Sequence, residues 1–435
     1  MLINWYLKKG LEKKFRAGHP WVFSNELAQS PKGIVSGALV ELRDAQGAFL
    51  ARGYGHPNSL ISFRVLTRDE KTPIDVAFFR DKLGQAMNLR KVAGVSGFSH
   101  RLCFAEGDYL PGLVIDRFLL DGGAQVFVLQ SSTAGMDGLL PHVFGALEEL
   151  VTAQSSVDKN YPSWNETAII VANDSKSRAM ENVAVEPKTV KKAIAGFTPE
   201  DARLVLEPGL AGLKPVVFSA DLIGGQKTGF FLDQRSNVQL TSRFVASTLA
   251  DRKELKVLDL CCYVGQWGTQ LSHLVSSIGG GIKANVTCVD SSAKALEIAV
   301  RNVEANGGVA QALKMDVLQN LDTLDRRAYD VVICDPPAFI KKKKDLPTGT
   351  QAYFKLNREA IRRTAASGLF VSCSCSGLFT EEDFREMLSR TMAAYTFGGG
   401  SEVRWLSRGG HSPDHPQRPE FPQGSYLKSW IGLVR

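Results

Sequence analysis

The chain has 435 residues, of which 44% are hydrophobic and 22% are charged, as in ordinary globular proteins. This composition excludes a disordered or fibrous protein, and the net charge of +7 permits a polyanionic partner without requiring one. No apolar run is long enough to cross a membrane, and lysines directly follow a very short apolar start, which is the wrong order for a signal peptide. Seven scattered cysteines without zinc-ligand spacing are typical of a reducing compartment, so we expect a cytoplasmic protein with no membrane partner and no metal.

The first part of the chain contains short apolar segments separated by turns. Residues 37–43, 48–54 and 60–66 have the composition of strands, and residues 44–47 form a turn between the first two. Closely spaced strands with glycine turns are typical of a small barrel. We therefore predict a small β-barrel domain over residues 1–70.

The next part of the chain mixes helical and strand patterns. Residues 72–75 resemble a linker that caps a helix, and the apolar spacing over residues 77–89 is helical. Residues 108–116 form a turn that leads into a strand. These patterns predict a middle α+β domain over residues 75–197.

From residue 198 to residue 435, strand patterns alternate with helical ones. Buried-type strands are predicted at residues 256–260, 286–290, 330–334 and 368–372. A capped amphipathic helix is predicted over residues 292–306, and residues 276–283 have the composition of a flexible insert. Such alternation favours a parallel, doubly wound sheet. The predicted fold class is therefore α/β, with a C-terminal Rossmann-like domain preceded by a small β-barrel and an α+β middle domain.

Reactive side chains follow two of the predicted strands. Asp335 stands beside two prolines at the end of one strand, and the thiol of Cys375 stands between small hydroxyl residues at the end of another. Ligands of open α/β sheets bind beyond the carboxyl ends of the strands. A carboxylate and a thiol in that place could hold one planar substrate from two sides, which suits chemistry on a nucleobase.

Other strand ends carry acidic residues and a glycine loop. The loop that follows Asp259 contains Gly265 but lacks the dinucleotide fingerprint, which favours a ligand without pyrophosphate, such as S-adenosylmethionine. Asp290 ends the following strand, where a carboxylate can hold a ribose diol. Asp316 follows a third strand, near the expected adenine. The alternative is a set of ordinary strand-end turns that these aspartates cap.

Seven segments between residues 19 and 428 resemble the sequence of a known family. They are His19-Pro-Trp-Val-Phe23, residues 49–54, residues 106–117, residues 226–235, Asp335-Pro-Pro-Ala-Phe339, Ser374-Cys-Ser-Gly-Leu378 and Gly424-Ser-Tyr-Leu-Lys428. The sequence resembles the PUA-domain class I methyltransferases that form 5-methylcytosine in large-subunit ribosomal RNA. The resemblance implies a PUA-like barrel and a middle domain that position RNA, followed by a domain that performs the chemistry.

The resemblance also implies a cofactor and a set of site residues. The cofactor is S-adenosylmethionine, and the RNA partner is large-subunit ribosomal RNA. The residues implied in cofactor binding are Asp259, Tyr263, Gly265, Asp290, Asp316, Asp335 and Pro336. A homodimer is among the assemblies that the sequence allows.

Methylation at C5 of cytosine requires a nucleophile, because C5 does not react with a methyl donor unaided. A thiolate adds to C6, C5 takes the methyl group, and elimination restores the ring. We assign Cys375 as the nucleophile and Asp335 as the residue that hydrogen-bonds the base edge. The alternative for Cys375 is a small buried core residue, and Cys373 is a competing nucleophile two positions earlier.

Some positions depart from the family pattern or carry two interpretations. The glycine loop has Val264 and Gln266 where the family usually has Thr and Gly, which makes cofactor affinity less certain than the fold. The lysines at 341–344 suit a solvated loop and a phosphate contact equally well. Tyr353 and Asn357 fit a family spacing, and their alternative is helix packing plus a cap.

Two other functions fit part of the pattern. A ribosomal RNA methyltransferase acting on a guanine nitrogen would use Asp335 but needs no cysteine nucleophile, so Cys375 argues against it. An RNA-binding ribosome assembly factor with weakened catalysis would explain the altered glycine loop. Measured cofactor binding would separate it from an active enzyme.

Overall fold

The computed structural model describes residues 3–249, 252–399 and 402–435, and the chain divides into two compact units. The first unit runs to Ala202 and includes Asp221–Phe231 and Pro413–Gly424. The second unit holds Arg203–Ala220, Leu232–Ser412 and Ser425–Arg435. Among the described residues, no helix combines the length and apolar character needed to cross a membrane.

The first unit begins with a five-stranded sheet and one short helix. These elements are β1 (Ile3–Tyr6), α1 (Glu12–Arg16), β2 (Trp21–Phe23), β3 (Leu39–Arg43), β4 (Phe49–Gly55) and β5 (Ile61–Thr67). The strand order is β1-β3-β4-β5-β2, with β1 parallel to β3 and the other neighbours antiparallel. Trp5, Val40 and Phe63 are buried in its core. The predicted β-rich N-terminal domain is confirmed.

A second sheet in the same unit carries two long helices. Its elements are α2 (Val76–Val92), β6 (His100–Phe104), β7 (Leu113–Leu119), β8 (Gln125–Ser131), α3 (Ala134–Val157), β9 (Thr167–Val171) and β10 (Thr189–Lys192). The strand order is β10-β9-β8-β7-β6. Helix α2 begins where the sequence predicts, because the Asp75 carboxylate accepts the Phe78 backbone N–H at 3.0 Å. The predicted α+β middle domain is confirmed.

The second unit holds a small two-stranded sheet and a seven-stranded sheet with helices. The elements are β11 (Ala202–Leu206), β12 (Val216–Ala220), α4 (Arg235–Ala246), β13 (Glu254–Leu260), α5 (Gln266–Ile278), β14 (Lys283–Asp290), α6 (Ala293–Ala305), β15 (Val309–Lys314), β16 (Tyr329–Cys334), α7 (Leu346–Ile361), β17 (Thr364–Ser374), α8 (Glu381–Phe397), β18 (Val403–Gly409) and β19 (Lys428–Val434). The large sheet has the order β15-β14-β13-β16-β17-β19-β18, with β13 near its centre.

The large sheet is Rossmann-like, as the sequence predicts, but it is mixed rather than wholly parallel. Strands β13 to β17 pair in parallel, whereas β19 runs antiparallel to both β17 and β18. A parallel neighbour requires a crossover helix, and the chain returns from β18 to β19 without an α-helix. The two last strands therefore form an antiparallel edge.

The predicted insert at residues 276–283 is mostly regular structure. Residues 276–278 of this segment belong to the end of α5, and Lys283 is the first residue of β14. Only residues 279–282 form a turn between them. The glycines therefore end a helix, where their backbone freedom is useful, and they do not lengthen a loop at the site.

The turn between β13 and α5 is held in an unusual conformation by a buried carboxylate. Cys261, Tyr263 and Gly265 all have left-handed backbone angles, with φ of 60°, 50° and 78°. A Cβ added at Gly265 would lie 3.0 Å from Cβ of Ala299 on α6, so this position requires glycine. The Asp259 carboxylate accepts the Gly268 backbone N–H at 3.0 Å and thereby closes the turn.

The buried position of Asp259 makes its ionisation unfavourable. Burial raises the pKa of the Asp259 carboxyl to about 7, the Gly268 N–H lowers it, and the charges of Asp335 and Asp290 raise it further. In the unfolded chain the same carboxyl titrates near pH 4. The folded protein therefore binds more protons than the unfolded chain between about pH 4 and pH 7.

We predict that Asp259→Asn removes a pH-dependent cost of folding, because asparagine keeps an acceptor for Gly268 but cannot ionise. Relative to the variant, the wild type should lose stability as the pH rises from 4 to 8, by at most about 4 kcal/mol. Urea unfolding at several pH values measures this difference. Asp316→Asn, at an exposed turn, is the control. If the difference in free energy of unfolding between the wild type and Asp259→Asn does not change with pH, the raised pKa of Asp259 is wrong.

Candidate active site

The two reactive strand ends predicted from the sequence lie next to each other. Strands β16 and β17 are parallel neighbours, Asp335 directly follows β16, and Cys375 directly follows β17. The Cys375 thiol donates to the backbone carbonyl of Pro336 at 3.7 Å. The carboxylate loop and the thiol therefore form one site at the carboxyl end of the sheet.

The structure distinguishes the two candidate nucleophiles. Cys375 is partly exposed, whereas Cys373 is fully buried and its thiol donates to the Ser429 hydroxyl at 3.4 Å. Burial is the largest cause that raises the pKa of the Cys373 thiol well above its usual value. A thiol that stays protonated and has no access to solvent cannot attack a base. Cys375 is the accessible one of the pair.

Two side chains to which sequence analysis assigned no role hold the Asp335 carboxylate. Gln234, just before α4, donates its Nε2 to Oδ1 at 2.9 Å, and Trp267 of α5 donates its Nε1 to Oδ2 at 3.1 Å. The two bonds fix the orientation of the carboxylate. Gln234 belongs to the family segment 226–235 and Trp267 to the glycine loop, so both lie in sequence motifs that signal the site.

Helix α7 holds the strand that carries the thiol. The Tyr353 hydroxyl lies 2.9 Å from the Ser376 hydroxyl, and the Ser372 hydroxyl donates to Oδ1 of Asn357. Burial raises the pKa of Tyr353 to about 12, so its hydroxyl stays neutral. The Tyr-x-x-x-Asn spacing therefore places two side chains, one helical turn apart, on the residues around Cys375. Both side chains are buried, so these contacts are compatible with helix packing as well as with positioning of the segment around Cys375.

A buried lysine lies beside the thiol. The Lys428 ammonium donates to the carbonyls of Ser376 at 2.7 Å, Phe379 at 2.6 Å and Tyr426 at 2.9 Å. Burial lowers the pKa of Lys428 to about 8, while the charge of Cys375 acts in the opposite direction. Attraction between the two groups also favours the thiolate of Cys375. The family motif that ends in Lys428 is the sequence signal for this residue.

The predicted cofactor residues form turns at the ends of β14 and β15. Asp290 accepts the Tyr263 backbone N–H at 3.0 Å with Oδ2 and the Ser292 backbone N–H at 2.9 Å with Oδ1. Asp316 is exposed and accepts from the Leu318 backbone N–H at 2.9 Å. Both carboxylates therefore cap strand-end turns, as the alternative interpretation predicts, and both remain at the ligand edge of the sheet.

Four aspartates converge on the thiol of Cys261 in the glycine loop. Burial raises the pKa of this thiol, and four nearby negative charges raise it further. In decreasing order of effect, they belong to Asp290, Asp335, Asp259 and Asp316. This edge of the sheet is therefore strongly acidic and suits a ligand that carries positive charge.

One atom of this acidic edge lacks a partner. Oδ1 of Asp259 is buried and, within the described part of the chain, no group donates a hydrogen bond to it. A buried acceptor left unsatisfied is costly, so a donor supplied by a ligand would be favourable here.

The family departures do not distort the glycine loop. Gln266 is the first residue of α5 and does not need the left-handed backbone that favours glycine. The carbonyl of Val264 accepts from the Asn302 side chain at 2.9 Å, which fixes the loop onto α6. The lysines at 341–344 are exposed. Their exposure is compatible with a solvated loop and with a phosphate contact.

The chain matches known protein families in two regions. Residues 6–68 match the PUA-like domain, and residues 226–372 match the methyltransferase small domain. A Streptococcus mutans structure named as a SAM-dependent methyltransferase aligns over 100% of both chains, with a TM-score of 0.69 and 19% identity. At that identity the similarity establishes the fold alone.

Curated relatives match the chain over nearly its full length. The ribosomal RNA large subunit methyltransferase I of Klebsiella pneumoniae subsp. pneumoniae is 32% identical over 98% of this chain and 97% of its own. The protein of the same name from Citrobacter koseri is 32% identical over 100% of both chains. The chain therefore belongs to the ribosomal RNA large subunit methyltransferase I family.

Proposed function

We propose that this protein uses S-adenosylmethionine to form 5-methylcytosine in large-subunit ribosomal RNA. The observation that carries the proposal is the accessible thiol of Cys375 beside the fixed carboxylate of Asp335, at the acidic edge of the large sheet. Family membership supports the RNA substrate. Mapping of methylated nucleosides in ribosomal RNA, with and without the protein, tests the proposal directly.

The acidic edge fits the methyl donor. When bound, S-adenosylmethionine supplies an electrophilic methyl group on a positively charged sulfur. Asp290 would hold the ribose hydroxyls, and Oδ1 of Asp259 would accept from the α-ammonium. Asp316 would lie near the adenine. The remaining proposed contacts are Tyr263, Gly265, Asp335 and Pro336.

Cys375 would act as the nucleophile toward C6 of the target cytosine. Its thiolate forms the S–C6 bond and C5 then takes the methyl group. A base or a solvent water accepts the C5 proton while the S–C6 bond breaks, which returns the thiolate and restores the ring. Lys428 would keep part of the thiol ionised by its positive charge. Ser376, Tyr353 and Asn357 hold the segment in place, so the sulfur is positioned before substrate arrives.

Asp335 would bind the base edge while the adduct forms. Gln234 and Trp267 fix its carboxylate, which would accept from the exocyclic amino group of cytosine. A carboxylate already oriented by two donors needs no reorganisation during the reaction. The position of Asp335 beside the Pro336 carbonyl, which Cys375 contacts, supports base recognition and attack at the same site.

The rest of the chain would bind RNA. We propose a PUA-like domain over residues 1–70, a middle domain over residues 75–197 and a catalytic domain over residues 198–435. The lysines at 341–344, which follow the Asp335 loop, would contact phosphates. We propose the cytoplasm as the compartment, and a homodimer is one assembly consistent with the sequence.

The two alternatives make different demands on the site. Methylation of a guanine nitrogen needs no thiol, and the positioning of Cys375 by α7 and Lys428 then has no purpose. An assembly factor without catalysis requires a damaged cofactor loop, whereas Gln266 lies in a regular helix and Val264 is tied to Asn302. Both observations favour the cytosine enzyme.

Asp290→Ala should weaken binding of S-adenosylmethionine roughly tenfold to a hundredfold, because a hydrogen bond to a charged group contributes ~1.5–3 kcal/mol. Isothermal titration calorimetry measures the affinity, and thermal unfolding checks that the variant is folded. Asp325→Ala, at an exposed carboxylate outside the acidic edge, should bind as the wild type does. Equal affinities for both variants would remove Asp290 from the cofactor site.

Cys375→Ala should abolish a covalent adduct with RNA that carries 5-fluorocytosine. Fluorine cannot leave as a proton does, so the wild type should accumulate a denaturation-resistant complex that needs S-adenosylmethionine. Gel electrophoresis under denaturing conditions detects this complex. Cys373→Ala is the control and should still form it. Full methylation by Cys375→Ala would overturn the cytosine mechanism and favour the guanine alternative.

Lys428 should impose a pH dependence on the same adduct. Since its pKa is about 8, the ammonium is present below pH 8 and lost above it. In the wild type, the support for the Cys375 thiolate therefore fades as the pH passes 8. Lys428→Met should form the adduct more slowly than the wild type at pH 7, because the positive charge that favours the thiolate is missing. In the variant, the rate of adduct formation should rise with pH and should show no change from loss of an ammonium charge near pH 8.

Rates of adduct formation at several pH values, with thermal unfolding as a check of folding, test this role. A variant that is folded and reacts as the wild type does at every pH would show that Lys428 is structural only. Lys355→Met, a change at an exposed lysine of α7, is the matched control.

A further inference from the structure

The first unit contains a cavity that the proposed chemistry does not use. Its volume is about 210 Å³, smaller than the roughly 300–1,000 Å³ of pockets for drug-sized ligands. Its chemically distinctive lining residues are Arg68, Lys82, Glu106, Tyr109 and Arg418. The size suits part of one nucleotide rather than a long ligand.

Two cations of this cavity have no carboxylate partner. Within the part of the chain that the structure describes, no carboxylate lies within ion-pair distance of Lys82 or Arg68. The Arg68 guanidinium donates to the carbonyl of His19, at 3.2 Å. Lys82 is partly buried, whereas Arg68 is exposed and its guanidinium carbon lies 4.2 Å from the centroid of the Phe15 ring. Burial and the charge of Arg418 lower the pKa of both groups, and the charge of Glu420 raises that of Arg68. Cations that repel one another would be stabilised by an anion.

The third cation is already committed to the protein. Arg418 donates to the carbonyls of Glu106 at 3.1 Å and Gly18 at 3.0 Å, and it pairs with Glu420 at 2.7 Å. Its guanidinium carbon also lies 4.0 Å from the centroid of the Tyr109 ring. Arg418 therefore builds the wall of the cavity and leaves Lys82 and Arg68 for a ligand.

Tyr109 presents an aromatic ring at the mouth of the cavity. Its side chain is 50% exposed, and its backbone has a left-handed φ of 61°, which is rare for a residue other than glycine. The Lys82 ammonium lies 5.3 Å from its ring centroid. This conformation ends the short 3₁₀ turn of Ala105–Asp108, and the half-exposed ring lies beside Lys82 and Arg418.

We propose that this cavity binds one nucleotide of single-stranded RNA outside the catalytic site. The phosphate lies on Lys82 and Arg68, and the base stacks on Tyr109. Stacking on an aromatic beside a cationic groove is the general chemistry of single-strand recognition. The inference rests on the proposed function, because it takes RNA as the substrate.

The test compares RNA binding by matched variants of the full chain. The probe is a short fluorescent single-stranded oligoribonucleotide, and anisotropy gives its affinity over a range of KCl concentrations. The double variant Lys82→Gln with Arg68→Gln should bind more weakly, with a salt slope lower by about 0.7 for each phosphate that is no longer bound. Lys91→Gln, an exposed change on the same helix α2, should bind as the wild type does.

Tyr109 has its own pair of variants. Tyr109→Ala should lower the affinity roughly fivefold to a hundredfold, the range expected for removal of one stacked base. Tyr109→Phe keeps the ring and should retain the affinity. Thermal unfolding of each variant shows whether weaker binding comes from the missing ring or from an unfolded chain.

The outcomes separate this inference from the proposed function. Wild-type affinity and salt slope in folded charge variants would overturn it. So would competition by inorganic phosphate at fixed ionic strength combined with no effect of Tyr109→Ala, which indicates a free-anion site. If the variants bind RNA more weakly but ribosomal RNA shows no methylation that depends on the protein, the cavity stands and the proposed function fails. The variants should all bind S-adenosylmethionine unchanged.

Discussion

Repulsion among carboxylates at one edge of the large sheet is the main electrostatic constraint on the candidate site of the second unit. Parallel strands end at the same edge, so Asp259, Asp290 and Asp335 are brought together by topology. Asp335 and Asp290 accept hydrogen bonds from side-chain and backbone N–H groups, and Asp259 is buried with its pKa raised to about 7. These neutral donors orient the carboxylates without cancelling their charge. The edge therefore remains negatively charged, and a ligand with a sulfonium and an ammonium group would be attracted to it.

The surroundings of the Cys375 thiol carry a positive charge, unlike those of the aspartates. Cys375 lies beside a buried ammonium, which donates to three backbone carbonyls. The carbonyls fix the Lys428 charge in place, and burial keeps its pKa close to the working pH. An exposed lysine would hold its charge more firmly but would be screened by water. A partly buried pair therefore couples the lysine and the thiol more strongly.

Much of the fold follows from the sequence, because strand–helix alternation and capping signals are local. Asp75 and Ser292 begin helices as predicted, and the aspartates and Cys375 stand at strand ends. The antiparallel β19 could not be predicted, because orientation depends on how the chain returns and not on the composition of the strand. Gln234, Trp267 and Lys428 lie in recognisable motifs, but their roles depend on contacts between residues far apart in sequence. No local pattern specifies such contacts.

The cavity at Tyr109 is only partly signalled by the sequence, because Glu106 and Tyr109 lie in the family segment 106–117 whereas its cations lie elsewhere along the chain. Its charges come from the end of β5, from α2 and from the segment Pro413–Gly424, which are widely separated along the chain. Each residue alone resembles an ordinary surface position. Only the fold shows that Arg418 is bound to backbone carbonyls while Lys82 and Arg68, among the described residues, have no carboxylate at ion-pair distance. The two sites therefore differ in their chemistry, since cations and an aromatic ring at the cavity suit a phosphate and a base, whereas the acidic edge of the large sheet suits a group with positive charge.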